Sequence, residues 1–278
     1  MAVVLGLLVA ITYGTGDFFG GLASRRNPPT AVVAVSQMIG LVTLIAIVAI
    51  DRGSSPIAHD VVAGAVAGSV GMIGIVLLYR GLANGTMSVV APITAVGAGV
   101  VPFAWGVVTG ERPSAIALVG VAAALLAVVL VSAADAVDDA RATRSDIASA
   151  LVAGCAFGVV FILLGSTHSE SGMWPVLAAR AASVTIMTTG VLVARRPIRP
   201  VPGSWRVVGV AGVLDVTANA LYVLASRHGL LSLVSVLSAL YPAATIVLAR
   251  LVLTERINRT QLLGIGLALT GVTLIAAG

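Results

Sequence analysis

Long apolar stretches alternate with short polar gaps along the whole chain. A helix needs about 20 consecutive apolar residues to cross a bilayer core. Scanning at that length predicts ten helices, at 2–22, 30–50, 60–80, 86–109, 114–133, 146–166, 174–194, 206–226, 229–253 and 260–278. The gaps between them ("SRRNPPT", "DRGSSPIAHD", "TGERPS", "STHSESGM", "RRPIRPVPGS") are built from turn and breaker residues. Helices joined by gaps this short alternate in direction and pack as neighbours. The one longer charged gap, "ADAVDDARATRSD" at 134–146, leaves five helices on each side. The expected organisation is therefore a first unit at 1–133, a polar linker at 134–145 and a second unit at 146–278.

The two units match each other at one ungapped offset of 144 residues. That offset pairs Tyr13 with Phe157, Gly14 with Gly158, Gly85 with Gly229, Ser88 with Ser232 and Ala95 with Ala239. It also pairs Glu111-Arg112 with Glu255-Arg256, and Gly120 with Gly264. A single offset serving both ends of the repeat points to an internal duplication. Five is odd, so two such copies in succession enter the membrane in opposite orientations. The predicted fold is all-α and polytopic, with ten transmembrane helices as two inverted five-helix repeats around a central cavity. Secondary transporters are often built this way, with the substrate site at the repeat interface near the midplane.

Composition supports the membrane assignment. Apolar residues make up 59% of the 278 positions and charged residues 10%, and the mean hydropathy is +1.10. A soluble fold of this length would have to bury nearly every helix on all sides. All sixteen basic residues are arginine, scattered singly or in pairs at the ends of apolar runs. That pattern is topogenic and offers no face for nucleic acid. The single cysteine, Cys155, excludes an intrachain disulfide. His59, His168 and His228 fall in polar gaps without metal-ligand spacing. The run at 2–22 is longer than a signal-peptide core and reads as a retained helix.

Two stretches carry a family resemblance. "VAPITAV…TGERPSAIALVGVAAALLAVVLVSA" in the first unit and "LSLVSVLSALYPAATIVLARLVLTERINRTQLLGIGLALTGVTLIAAG" in the second resemble the end of an EamA repeat. The Glu-Arg step after the fourth helix, followed by a Gly-rich fifth helix, is the most specific part. EamA-like proteins belong to the drug/metabolite transporter superfamily. The resemblance implies ten helices around a central cavity, cytoplasmic termini, and transport of small metabolites or drugs, often outward. It implies residence in the bacterial cytoplasmic membrane. It also implies that helices one, four, eight and nine, which carry Tyr13, Trp105, Tyr222 and Tyr241, line the cavity. The arginine distribution argues for the opposite orientation. With the N-terminus inside, Arg25-Arg26, Arg141, Arg144, Arg195-Arg196, Arg199, Arg256 and Arg259 would all face out.

Polar residues present in only one copy are the better functional candidates. Asp17 matches Phe161, Asp215 matches Gly71, Asn219 matches Ile75, Tyr222 matches Leu78 and Arg180 matches Ser36. A charge inside a span costs about 2.5–3.5 kcal/mol on the insertion scale, so each needs a partner or a wet cavity. Asp215, Asn219 and Tyr222 fall at i, i+4 and i+7 on one helix face. They line a polar cavity or form an interhelical network, with Asp215 paired to Arg180. Arg180 lies two turns into its span and either binds an anionic group or neutralises that acid. Asp17 sits roughly 7 Å past the centre of the first span. It is either a proton-coupling carboxylate or a structural acceptor, and Gly16 and Gly20 predict close helix contact beside it. Glu111-Arg112 and its counterpart read as an interfacial cap and ion pair or as a gate. Trp174 and Trp205 begin spans as interface anchors, and Pro242, Pro92 and Pro102 predict kinks in both copies.

The stretch "GTGDFFGG" echoes a dinucleotide loop without its strand-turn-helix setting. No Walker, Ser-His-Asp or HExxH pattern occurs. The expected function is secondary transport, by alternating access, of a small metabolite, amino-acid-like compound or drug. The alternative is a non-transporting membrane scaffold. The expected partners are a small-molecule substrate, the lipid bilayer and protons as the candidate coupling ion. No enzyme activity, cofactor, metal or nucleic acid is expected, and a monomer suffices for this reading.

Overall fold

The computed structural model describes residues 1–51, 53–83, 87–132, 143–195, 199–253 and 258–278. Gly85, Glu255, Arg256 and most of the 134–145 linker lie outside the described residues. The regular structure among the described residues is all helical. The helices are α1 (Ala2–Ser24), α2 (Pro29–Ile50), α3 (Ala58–Ala83), α4 (Met87–Val108), α5 (Ala115–Ser132) and α6 (Arg144–Gly165). A short 3₁₀ turn (Ser169–Ser171) then precedes α7 (Trp174–Val193), α8 (Trp205–Ser226), α9 (Leu231–Ser238), α10 (Tyr241–Leu253) and α11 (Arg259–Ala277). Eight described segments, with α9 and α10 taken as one, are long and apolar enough to cross a membrane. Shorter apolar helices run over Ile93–Val108 in α4 and Ala115–Val131 in α5. A spanning segment has to satisfy its backbone internally, which helices do. Hydroxyls follow the same rule. Thr15 donates to the Ile11 carbonyl at 2.6 Å, and Ser166 to that of Ile162 at 2.7 Å.

Sequence marks the helix ends. Thr143 and Asp146 form a capping box at α6, and Asn258 and Gln261 form one at α11. At the position 144 before Asn258, the Ser114 hydroxyl accepts from the Ala117 amide at 3.1 Å and caps α5. Trp174 and Trp205 are the first residues of α7 and α8. The second copy is interrupted at Ala239–Leu240, just before Pro242, but α4 is one continuous helix through positions 92 and 102. Those two prolines bring no break there.

Packing follows the same offset. α1 lies against α8, α9 and α10, while α6 lies against α3 and α4. α2 packs on α8 as α3 packs on α7, and α5 pairs with α11. Gly14 comes so near α10 that a Cβ there would meet Ala244 at 2.7 Å and the Thr245 amide at 3.0 Å. Its counterpart Gly158 comes equally near Val101, the counterpart of Thr245. A Cβ on Gly120 would lie 2.9 Å from the Ile275 side chain, and one on Gly264 would lie 2.8 Å from the Val131 side chain, each approach the image of the other. Small residues permit this close approach where lipid supplies no hydrophobic drive between helices.

Candidate functional site

α7 carries Arg180 into the bundle, and the side chain is only 7% exposed. Two helices supply its partners. Its Nη2 donates to Asp215 on α8, and its Nη1 donates to the Gln37 amide oxygen on α2. Ser183, one turn further along α7, donates to the same Gln37 oxygen at 3.1 Å. Gly40 on α2 makes room for α8 beside the guanidinium: a Cβ there would meet the Val216 side chain at 2.6 Å, while Arg180 Nε would lie at an ordinary 3.5 Å. The cation is thus held by a carboxylate and an amide in an apolar setting, which compensates its cost of burial. Asp215 keeps 39% of its side chain exposed. It satisfies Arg180 while still presenting carboxylate surface.

The remaining candidates arrange around this pair. Asn219 is half-buried and donates to the Asp215 carbonyl at 2.8 Å. α1 approaches α8 here, with a Cβ on Gly16 falling 3.6 Å from the Asp215 amide nitrogen. Tyr13 lies within electrostatic reach of Asp215, Arg180, Tyr222 and Asp17. Asp17 lies within reach of Asp215, and Tyr241 within reach of Asp17. Asp17 is exposed. Gly20 and Gly21, at i+3 and i+4 from it, face open space, with no atom within 4 Å of either Cβ position. The expected close helix contact at Gly20 is therefore absent. Gly14 and Gly16 make the close contacts of this stretch, and the Asp17 face of α1 is open.

Two aromatics take other places. Tyr222 is fully buried. Its hydroxyl donates to the Phe161 carbonyl at 3.1 Å and exchanges a hydrogen bond with Ser235 at 2.9 Å, and its ring stacks on Phe161 at 4.4 Å. It belongs to the core beneath the site rather than to an open surface, because the i+7 position turns toward α6 and α9. Trp105 is 48% exposed and borders an apolar groove with Val101, Val108, Val159 and Ile162. That groove lies between α4 and α6, and no described contact joins Trp105 to the Arg180 cluster.

Sequence reading missed Gln37 and Ser183. An amide and a hydroxyl in apolar runs give no signal until the fold sets them beside a charge. Glu111 behaves as a cap, its carboxylate accepting from the Leu231 and Ser232 amides at 2.7 and 2.9 Å at the start of α9. The histidines depart from expectation as well. Linear spacing offers no metal set, yet the fold brings His59, Asp60 and His168 together.

A family model for the EamA-like transporter family matches residues 1–133 and again residues 145–277. An uncharacterized protein of Methanocaldococcus jannaschii is 31% identical over 97 residues, which is 34% of this chain and 70% of that protein. One solved crystal structure has a TM-score of 0.80 at 15% identity, covering 99% of this chain and 98% of its own. At that identity the likeness is one of fold.

Proposed function

The chain belongs to the EamA-like transporter family, and on that footing we propose that it is a secondary transporter moving a small amine-bearing or amino-acid-like compound outward by alternating access. In this reading ten helices cross the bacterial cytoplasmic membrane as two inverted five-helix copies. The paired contacts at one offset, Gly14 with Gly158 and Gly120 with Gly264, support it. Inverted copies have two related arrangements, one open to each side.

The observation that carries the reading is the half-exposed Asp215 held against buried Arg180, with Asp17 exposed nearby. The guanidinium is already occupied, by Asp215 and Gln37. Two carboxylates and one guanidinium leave the site one negative charge in excess. A cationic or amino group, or a proton, neutralises that excess inside a low-dielectric surround. Tyr13 and Asn219 add apolar surface and hydrogen-bonding capacity of the kind that orients a ligand.

The test is transport by purified protein in liposomes, with a panel of amines, amino acids, cationic dyes and monocarboxylates. Amine-bearing compounds should cross and should raise the melting temperature. Asp215→Asn and Arg180→Ala should each abolish transport while the protein still assembles. A double variant, Arg180→Gln with Asp215→Asn, removes both charges together. Restored transport in that variant would reduce the pair to a structural role, and a panel in which only monocarboxylates cross would overturn the substrate class. A scaffold would show neither transport nor ligand-dependent melting.

A further inference from the structure

A second polar cluster lies where the α2–α3 turn of the first copy meets the α6–α7 turn of the second. Asp60, in the first turn of α3, is fully buried. Its Oδ2 accepts from the Ser171 hydroxyl at 2.6 Å and from the His168 amide at 2.8 Å. Its Oδ1 faces two imidazoles, with His168 Nδ1 at 3.0 Å and His59 Nδ1 at 3.2 Å. The two rings meet edge to face with centroids 6.3 Å apart, and their side chains are 58% and 78% exposed. One carboxylate oxygen and two ring nitrogens thus lie within 4.8 Å of one another, the carboxylate buried and both imidazoles exposed.

We propose that His59, Asp60 and His168 form a binding site for a single first-row divalent cation of the zinc type, joining the two copies at this end of the bundle. The spacing suits it. Ligand atoms about 2.0–2.1 Å from a tetrahedral zinc lie about 3.3 Å from one another. The nitrogen–oxygen separations here, 3.0 and 3.2 Å, are close to that before any ion is added. Two imidazoles and one carboxylate with an open fourth position form a zinc ligand set. The outer contacts are in place too. Ser171 and the His168 amide orient the carboxylate through its other oxygen. Arg227 donates to the His168 and Gly172 carbonyls at 3.1 and 3.0 Å and fixes the turn that carries His168. Partners of this kind hold metal ligands in register. Arg227 also sets a positive charge near the site, against which Asp60 is the opposing charge.

The internal repeat gives an independent argument. The 144-residue offset maps Asp60 onto Ser204 and Ser171 onto Asn27. Those counterparts also touch: the Asn27 amide donates to the Ser204 hydroxyl at 3.0 Å. The fold therefore needs only a neutral contact in this slot. In the Asn27–Ser204 slot, the positions equivalent to His168 and His59 are Ser24 and Gly203. The carboxylate and both imidazoles exceed what the packing requires.

The test uses tag-free full-length protein in detergent, stripped of metal by chelation, and is independent of any transport assay. Calorimetric titration with zinc should show one ion per chain, and cobalt should give a visible ligand-field band. Zinc should raise the melting temperature. His59→Gln and His168→Gln should each weaken binding by about tenfold or more, and the double variant should lose the cobalt band. His59 carries the decisive arm, because its exposed ring can be replaced while Asp60 keeps its other three donor groups. The absence of stoichiometric zinc binding in the wild type would overturn the proposal, as would unchanged affinity in His59→Gln with an unchanged melting temperature of the metal-free protein.

Discussion

Positions 17 and 161 occupy the same place in the two copies and do opposite work. Phe161 is buried and stacks on Tyr222, while Asp17 is exposed beside open space. One copy uses the position to fill its core, and the other leaves an acid on an open helix face. Asp17→Asn should leave the fold intact and remove the dependence of transport on an imposed pH gradient. Unchanged dependence would exclude Asp17 from coupling. Gln37 invites a second substitution. Gln37→Leu takes one acceptor from Arg180 and one from Ser183. A hydrogen bond to a charged group contributes about 1.5–3 kcal/mol, so the melting temperature should fall measurably even where Asp215 remains. The pairing of Arg180 with Asp215 was legible in the sequence because an intramembrane charge demands a partner and few were available. Gln37 was not, since an uncharged amide makes no such demand, and its contact spans 143 residues. The Asp60–His168 contact, spanning 108 residues, was hidden for the same reason.

Among the elements, α9 is the clearest case of local chemistry fixing a helix end. It begins where Glu111 accepts from its first amides and ends at the break before Pro242. Four orphan amides at a helix start need acceptors, and a carboxylate there also faces the positive end of the helix dipole. Glu111→Ala should lower stability by about 1–2 kcal/mol, read as a reduced melting temperature, and Glu111→Gln should recover part of it. Helix positions were legible from run length and caps. Close approaches set a stricter limit. Gly14→Leu and Gly158→Leu should both fail to assemble, since each side chain would enter a neighbouring helix. Well-folded protein from either would contradict the tight crossings described above.

Over the whole molecule, the duplication was legible because a single ungapped offset ran through both copies. Which helices touch was not, since hydropathy marks spans without choosing their neighbours. The open face of α1 at Asp17, Gly20 and Gly21 is a property of that arrangement. In a Cys155→Ser background, Gly20→Cys and Gly21→Cys should react with a water-soluble thiol reagent, and a bound substrate should slow the reaction. Labelling only by a lipid-soluble reagent would put that face against the bilayer instead of a crevice. The paired slots at Asn27–Ser204 and Ser171–Asp60 bear on how such a protein changes over generations. Each slot is a socket whose backbone is inherited from one ancestor and whose contents have since been drawn separately. While one slot keeps a plain neutral pair, the other is free to try acids and imidazoles without endangering the scaffold. Asp60→Ser combined with Ser171→Asn would restore the plain version in both sockets, and the chain should still fold. New chemistry in a duplicated membrane protein would then arise first at its helix turns, where exchange is tolerated, and only later in the crowded crossings between glycines.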